Sequence, residues 1–165
     1  MRHLARVLVA VTSLMTALAI TAMPSSASGG GTAAVDSAYV QRLLYNTSMG
    51  DFTAIVAAHT GPDGNSGDAW FDWSNDLCSA PLVGNTGRSF DFTNACRRHD
   101  FGYRNTKLLG ERYGRFWNGD SRKRIDQQFL ADMKSHCKHR RLIDRPTCYS
   151  WAYTFYSAVR VAGGP

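Results

Sequence analysis

Apolar residues recur along this chain at helical spacing, and no stretch after the first thirty residues alternates as a strand does. Tyr39, Val40, Leu43 and Leu44 mark a helix over 35–45, and Phe52, Ile55, Val56 and His59 a second, shorter one after Met49-Gly50-Asp51. His59 is isolated and expected at the surface. The run from Cys96 to about Leu109 predicts a third helix, with Thr93 or Asn94 as its N-cap. A fourth begins at Asp120 or Ser121 and ends at Cys137, its apolar stripe carried by Ile125, Phe129, Leu130 and Met133. The last, over 149–161, shows Trp151, Phe155, Ala158 and Val159 and stops at Gly163-Gly164-Pro165. The class predicted is all-α.

The connections differ in kind. Residues 61–68 hold two aspartates and an asparagine but lack the closing glutamate of an EF-hand loop, and read as a solvated turn. In Trp70-Phe71-Asp72-Trp73-Ser74-Asn75-Asp76-Leu77-Cys78 the aromatics bury the base of a loop. Asp76 then stands on a short rigid stretch, as a turn cap or as one carboxylate beside a backbone carbonyl offered to a hard cation. Residues 79–92 read as a loop. Residues 110–119 form another, whose Tyr113, Phe116 and Trp117 beside Arg112 and Arg115 either touch a membrane interface or pack beneath the loop. Lys138-His139-Arg140-Arg141 is a basic turn, and His136 and His139 count as surface charge.

Composition changes the picture at the N-terminus. Arg2, His3 and Arg6 precede an uncharged apolar run over 7–22, and small residues follow at 24–28. This is the pattern of a secretory signal peptide over 1–28, too short and too interrupted for a membrane span. Cleavage is expected after Ala27 or Ser28, with Gly31-Thr32-Ala33 as the alternative. A flexible stretch over 29–34 and one domain over 35–165 complete the division. The 19 Lys and Arg exceed the 13 Asp and Glu by six, and two of those arginines lie in the leader, which leaves the mature part at +4. Such a charge favours anionic surfaces, membranes or nucleic acid, without choosing between them. Four cysteines, Cys78, Cys96, Cys137 and Cys148, in an exported chain imply disulfides. Three connectivities exist, and nearness in sequence favours Cys78–Cys96 with Cys137–Cys148. No C-x-x-C pair points to zinc.

The chemistry concentrates in Cys96-Arg97-Arg98-His99-Asp100-Phe101-Gly102-Tyr103. Residues three and four apart share a helix face, so Cys96, His99, Asp100 and Tyr103 fall in one sector. His99 and Asp100, about 100° apart on the helix, aim at neighbouring places and not at each other. Asp126 lies on the apolar stripe of the fourth helix. A carboxylate there is costly to bury without a partner, so the sequence asks for one.

Asp76-Leu77-Cys78, the run from Cys96 to Asn105, and Arg124-Ile125-Asp126 together resemble the secreted bacterial and fungal phospholipases A2, over about 70–161. The resemblance implies a small disulfide-stapled helical domain with two antiparallel catalytic helices, and calcium-dependent hydrolysis of the sn-2 ester of glycerophospholipids. It implies that His99 is the catalytic histidine and Asp126 its partner. Asp76, the Leu77 carbonyl and Asp100 hold calcium, and the disulfides are Cys78–Cys96 and Cys137–Cys148. The implied protein is extracellular and monomeric and works at a phospholipid membrane or micelle surface, with no nucleic-acid partner. The chain departs from the family in a long Cys78–Cys96 loop and an aromatic 110–119 loop, both placed to border a substrate mouth. Two other readings use the same residues: a non-catalytic, calcium-stabilised secreted module that binds membranes, and a secreted nuclease. No serine stands in a G-x-S-x-G elbow, which argues against a serine hydrolase.

Overall fold

The structure is a computed structural model and describes residues 31–61, 70–78 and 90–162. The signal peptide expected over 1–28, the 61–68 turn after its first residue, and the Gly84–Gly87 part of the long loop lie outside the described residues. Within them are five helices and no β-strand: α1 (Ala33–Tyr45), α2 (Met49–His59), α3 (Thr93–Tyr113), α4 (Gly119–Lys138) and α5 (Arg145–Ala162).

Several ends move from where periodicity puts them, each for a local reason. α1 starts two residues early, because Ala33 and Ala34 are strong helix formers and the Asp36 N–H reaches the Thr32 carbonyl at 3.0 Å. The cap of α3 comes from Asp91, whose Oδ1 accepts the Thr93 N–H at 2.9 Å. The helix then runs through Gly110 to Tyr113 and ends at Gly114, φ +74°, a left-handed conformation that suits glycine. The expected 110–119 loop thus shrinks to 114–118. Asn118 caps α4, accepting the Asp120 and Ser121 N–H groups in a reciprocal box with Ser121. α5 begins at Arg145, with Pro146 inside its first turn, where the missing N–H costs nothing.

α3 and α4 are antiparallel. Going up α3, Phe92 meets His136, Arg98 meets Asp132, His99 meets Asp126 and Gly102 meets Ile125. A Cβ on Gly102 would fall 2.8 Å from Leu44 and 2.9 Å from Ile125, so glycine here lets α1 and α4 close on α3. This pair separates two cores. One gathers Phe90, Phe92, Phe129, Met133, Ala152 and Phe155 with all four cysteines, beneath α5. The other gathers Leu43, Leu44, Phe52, Trp73, Phe101 and Leu109 beneath α1 and α2.

Both disulfides are those favoured by sequence, with Cα–Cα separations of 5.4 Å (Cys78–Cys96) and 5.6 Å (Cys137–Cys148). Each is worth ~2–4 kcal/mol in such a domain. The first ties the 70–78 segment to the first turn of α3. The second closes the α4–α5 turn. Phe71 and Trp73 are buried, as their loop-base role requires. Two histidines depart from the surface positions expected of them. His59 stacks on Trp73 at 4.4 Å, because the aromatic segment passes over the end of α2. His136 meets the edge of Phe92, and burial lowers its pKa, with Arg140 adding to the effect.

Candidate active site

His99 lies on the second turn of α3, facing α4. Its Nε2 is 2.9 Å from Asp126 Oδ1, and its ring packs between Tyr103 (4.3 Å) and Phe129 (4.8 Å). A carboxylate only accepts, so Nε2 carries the proton and Nδ1 holds the lone pair. Asp126 is wholly buried, as its place on the apolar stripe demands. Tyr103 Oη donates to the same Oδ1 at 2.7 Å, and Arg160 Nη1 from α5 donates to Oδ2 at 2.7 Å. Burial works against the charged form of Asp126, but the bonds from His99, Arg160 and Tyr103 outweigh it and hold the acid below its ordinary value. Burial and the bond to Asp126 push Tyr103 up to about 12, so it stays a donor.

Arg122 joins this cluster. Its Nε donates to Tyr103 Oη at 3.3 Å, and its Nη2 to the carbonyl of Arg160 at 2.6 Å. It thereby fixes the C-terminal turn of α5, from which Arg160 reaches Asp126. Sequence reasoning missed Arg122 and Arg160. The one available signal was Arg160, the single charged residue over 149–161.

Asp100 faces the adjoining side of α3. Its Oδ2 accepts the N–H groups of Asp76 and Leu77, each at 3.1 Å. Leu77 adopts φ +58°, a left-handed conformation that costs a non-glycine residue ~1–2 kcal/mol, and such strain gathers at functional sites. Asn105, fully buried, braces the segment from beneath: its Nδ2 donates to the Asp72 carbonyl at 2.7 Å, and its Oδ1 accepts the Asp72 N–H at 2.9 Å. Arg104 reaches Ser74 at 2.7 Å and Asp76 at 3.1 Å. Burial, and then the neighbouring Asp76 carboxylate, push Asp100 up to about 8. Two adjoining carboxylates are a donor set that suits a hard dication with oxygen ligands, with Arg104 at present paired to the Asp76 member. Among the described residues no three His, Cys, Asp or Glu side chains form a metal cluster by themselves. Of the oxygen donors expected from sequence, Asp76, Asp100 and the Leu77 carbonyl, Asp100 accepts the N–H groups of Asp76 and Leu77, and the Asp76 carboxylate pairs with Arg104.

The structure therefore brings together His99 with Asp126, and separately Asp100 with the backbone of Asp76 and Leu77, on two adjoining sides of one helix. The aromatics Tyr113, Phe116 and Trp117 are half-buried against the α1–α2 core, and Trp117 meets Tyr103 edge-on at 5.0 Å.

Comparison with known proteins bears on this geometry. The sequence profile of the prokaryotic phospholipase A2 family matches residues 40–163, so the likeness begins well before the 70–161 span read from motifs. The chain is 31% identical over 154 residues to a secretory phospholipase A2 of Arthroderma benhamiae, covering 92% of this chain and 95% of that one. It is 39% identical over 93 residues to a secretory phospholipase A2 of Beauveria bassiana, covering 56% of this chain and 44% of that one.

Proposed function

The chain belongs to the prokaryotic phospholipase A2 family and is a phospholipase A2, and from that premise we propose that it is a secreted enzyme hydrolysing the sn-2 ester of glycerophospholipids with calcium, His99 acting as general base. The observation that carries the reading is the His99–Asp126 pair: a buried carboxylate, satisfied on both oxygens, that fixes one imidazole tautomer.

In this reading Nδ1 of His99 takes a proton from water as the water attacks the ester carbonyl. Asp126 accepts the Nε2–H throughout and stabilises the imidazolium that forms. The imidazolium then returns the proton to the leaving lysophospholipid oxygen. Tyr103 and Arg160 keep Asp126 ionised and fixed, so the imidazole does not turn. Asp76, Asp100 and the Leu77 carbonyl would hold calcium, whose chemistry is to polarise the carbonyl and bear the oxyanion charge. Secretion is supported by the relatives' designation as secretory, and no helix among the described residues is long and apolar enough to cross a membrane. Membership of a phospholipase family displaces the non-catalytic module and the nuclease.

The test is release of fatty acid from phosphatidylcholine vesicles labelled at sn-2, with calcium and then with excess chelator. Labelled fatty acid released only with calcium is expected. Label retained on the lysophospholipid, or release undiminished by chelator, overturns the corresponding part of the proposal.

A further inference from the structure

The turn between α4 and α5 is built unlike the rest of the surface. Leu142 and Ile143 are 76% and 80% exposed, the one pair of adjacent large apolar residues so exposed among the described residues. They are not loosely held. The Cys137–Cys148 disulfide closes the base of the turn. Arg140 N–H bonds to the Cys137 carbonyl at 3.1 Å, Asp144 N–H to the Arg141 carbonyl at 2.9 Å and Cys148 N–H to the Asp144 carbonyl at 3.0 Å. Arg145 Nε grips the Arg140 carbonyl at 3.0 Å. Two adjacent aliphatics held out in water on a braced apex carry a hydration cost that an apolar partner would relieve.

The collar identifies the partner. Lys138, Arg140, Arg141 and Arg145 flank the apex in sequence with one acid, Asp144, which Arg141 already pairs at 2.8 Å, while the Arg140 guanidinium lies over the Phe90 ring at 5.3 Å. One turn back along α4, Lys134 lies over Tyr153, itself 49% exposed. Aliphatic tip, cationic collar and an amphipathic tyrosine behind it form, in that order, the profile of a bilayer interface. We propose that this turn is a membrane-docking tip: Leu142 and Ile143 enter an anionic phospholipid interface, and the collar cations meet its phosphates. The proposal rests on the lipid-hydrolysing reading above and deepens it. Because α3 and α4 are antiparallel, the base of the turn meets the start of α3, His136 against Phe92 and Arg140 over Phe90, so docking there brings the end of the molecule that carries Cys96, His99 and Asp100 toward lipid.

The test is sedimentation with phosphatidylglycerol and with phosphatidylcholine vesicles, in chelator, so that binding is read without turnover and a failed catalytic assignment leaves it intact. Wild-type protein is expected to prefer phosphatidylglycerol vesicles, less so in high salt. Leu142→Ser with Ile143→Ser is expected to weaken binding about tenfold or more, with hydrolysis of a monomeric short-chain phospholipid within about twofold of wild type. Leu142→Phe with Ile143→Phe is expected to bind at least as tightly as wild type. Serine variants that bind like wild type, or wild-type protein that ignores phosphatidylglycerol vesicles, overturn the proposal. A solution dimer that the serine substitutions dissolve also overturns it, assigning the tip to a second copy of the chain.

Discussion

Asp126 and Asp132 stand on the same helix, both shielded from water, and meet neighbouring residues of α3, His99 and Arg98. Their fates diverge. Asp126 has donors on both oxygens: His99 and Tyr103 on one, Arg160 on the other. Asp132 receives Arg98 (3.3 Å) and Gln128 (2.9 Å) on Oδ1 alone, while its Oδ2 and Arg98 Nε lack hydrogen-bond partners among the described residues. Burial pushes Asp132 up to about 6 despite Arg98, whereas Asp126 is held below the ordinary carboxylate value. The difference shows that burial alone does not decide whether an acid stays charged. The count and direction of donors decide it, and the acid facing a histidine has the full set.

Four changes break or sharpen this contrast. The largest effect is expected from Asp126→Ala, which strands Arg160, Tyr103 and His99 without their acceptor. It should cost ~3–5 kcal/mol of stability, read from the urea midpoint and slope, and abolish turnover. Next is Arg160→Gln, which removes the charged donor to Oδ2 but keeps a neutral one. Turnover on vesicles should fall about tenfold with the helical circular dichroism unchanged. Unaltered turnover would show that Arg160 only packs. The third is a pH series on stability. Asp126 has a lowered folded pKa, so its contribution is present above the ordinary carboxylate range and lost as pH falls through the folded value. Asp132 has a raised one, so its contribution is present below ~4 and lost as pH rises toward about 6. The pair Arg98→Met with Asp132→Leu should therefore remove a loss of stability between ~4 and ~6, seen as a flatter urea-midpoint profile. The same double variant is the smallest expected change at pH 7: stability within ~1–2 kcal/mol of wild type and turnover within about twofold, since a half-satisfied buried ion pair contributes little net.

How much of this was legible beforehand depends on the range of the interaction. The five helices follow from apolar spacing, and the burial of Asp126 follows from its place on the stripe three residues before Phe129. Cys78–Cys96 and Cys137–Cys148 are close in sequence. By contrast, Arg160 meets Asp126 across 34 residues and from a different helix, and no local pattern announces that contact. Asp36 is similar: wholly buried in α1, it accepts Trp70 Nε1 at 2.9 Å and Tyr113 Oη at 2.8 Å, joining three elements through one side chain. Helix ends were misplaced where a cap outside the apolar pattern decided them, as Asp91 and Asn118 do. His59 and His136 were read by residue type, and packing against aromatics overrode the type.

The central claim is that His99 works by moving a proton and Asp126 by holding it in place, while the neighbouring Arg98–Asp132 pair serves the fold alone. The most direct measurement is vesicle hydrolysis by His99→Ala, with circular dichroism and both disulfides verified on the same sample. The account predicts an intact helical protein whose turnover falls ~10²–10⁴-fold, the usual cost of losing a general base. A folded variant with near wild-type turnover would contradict it.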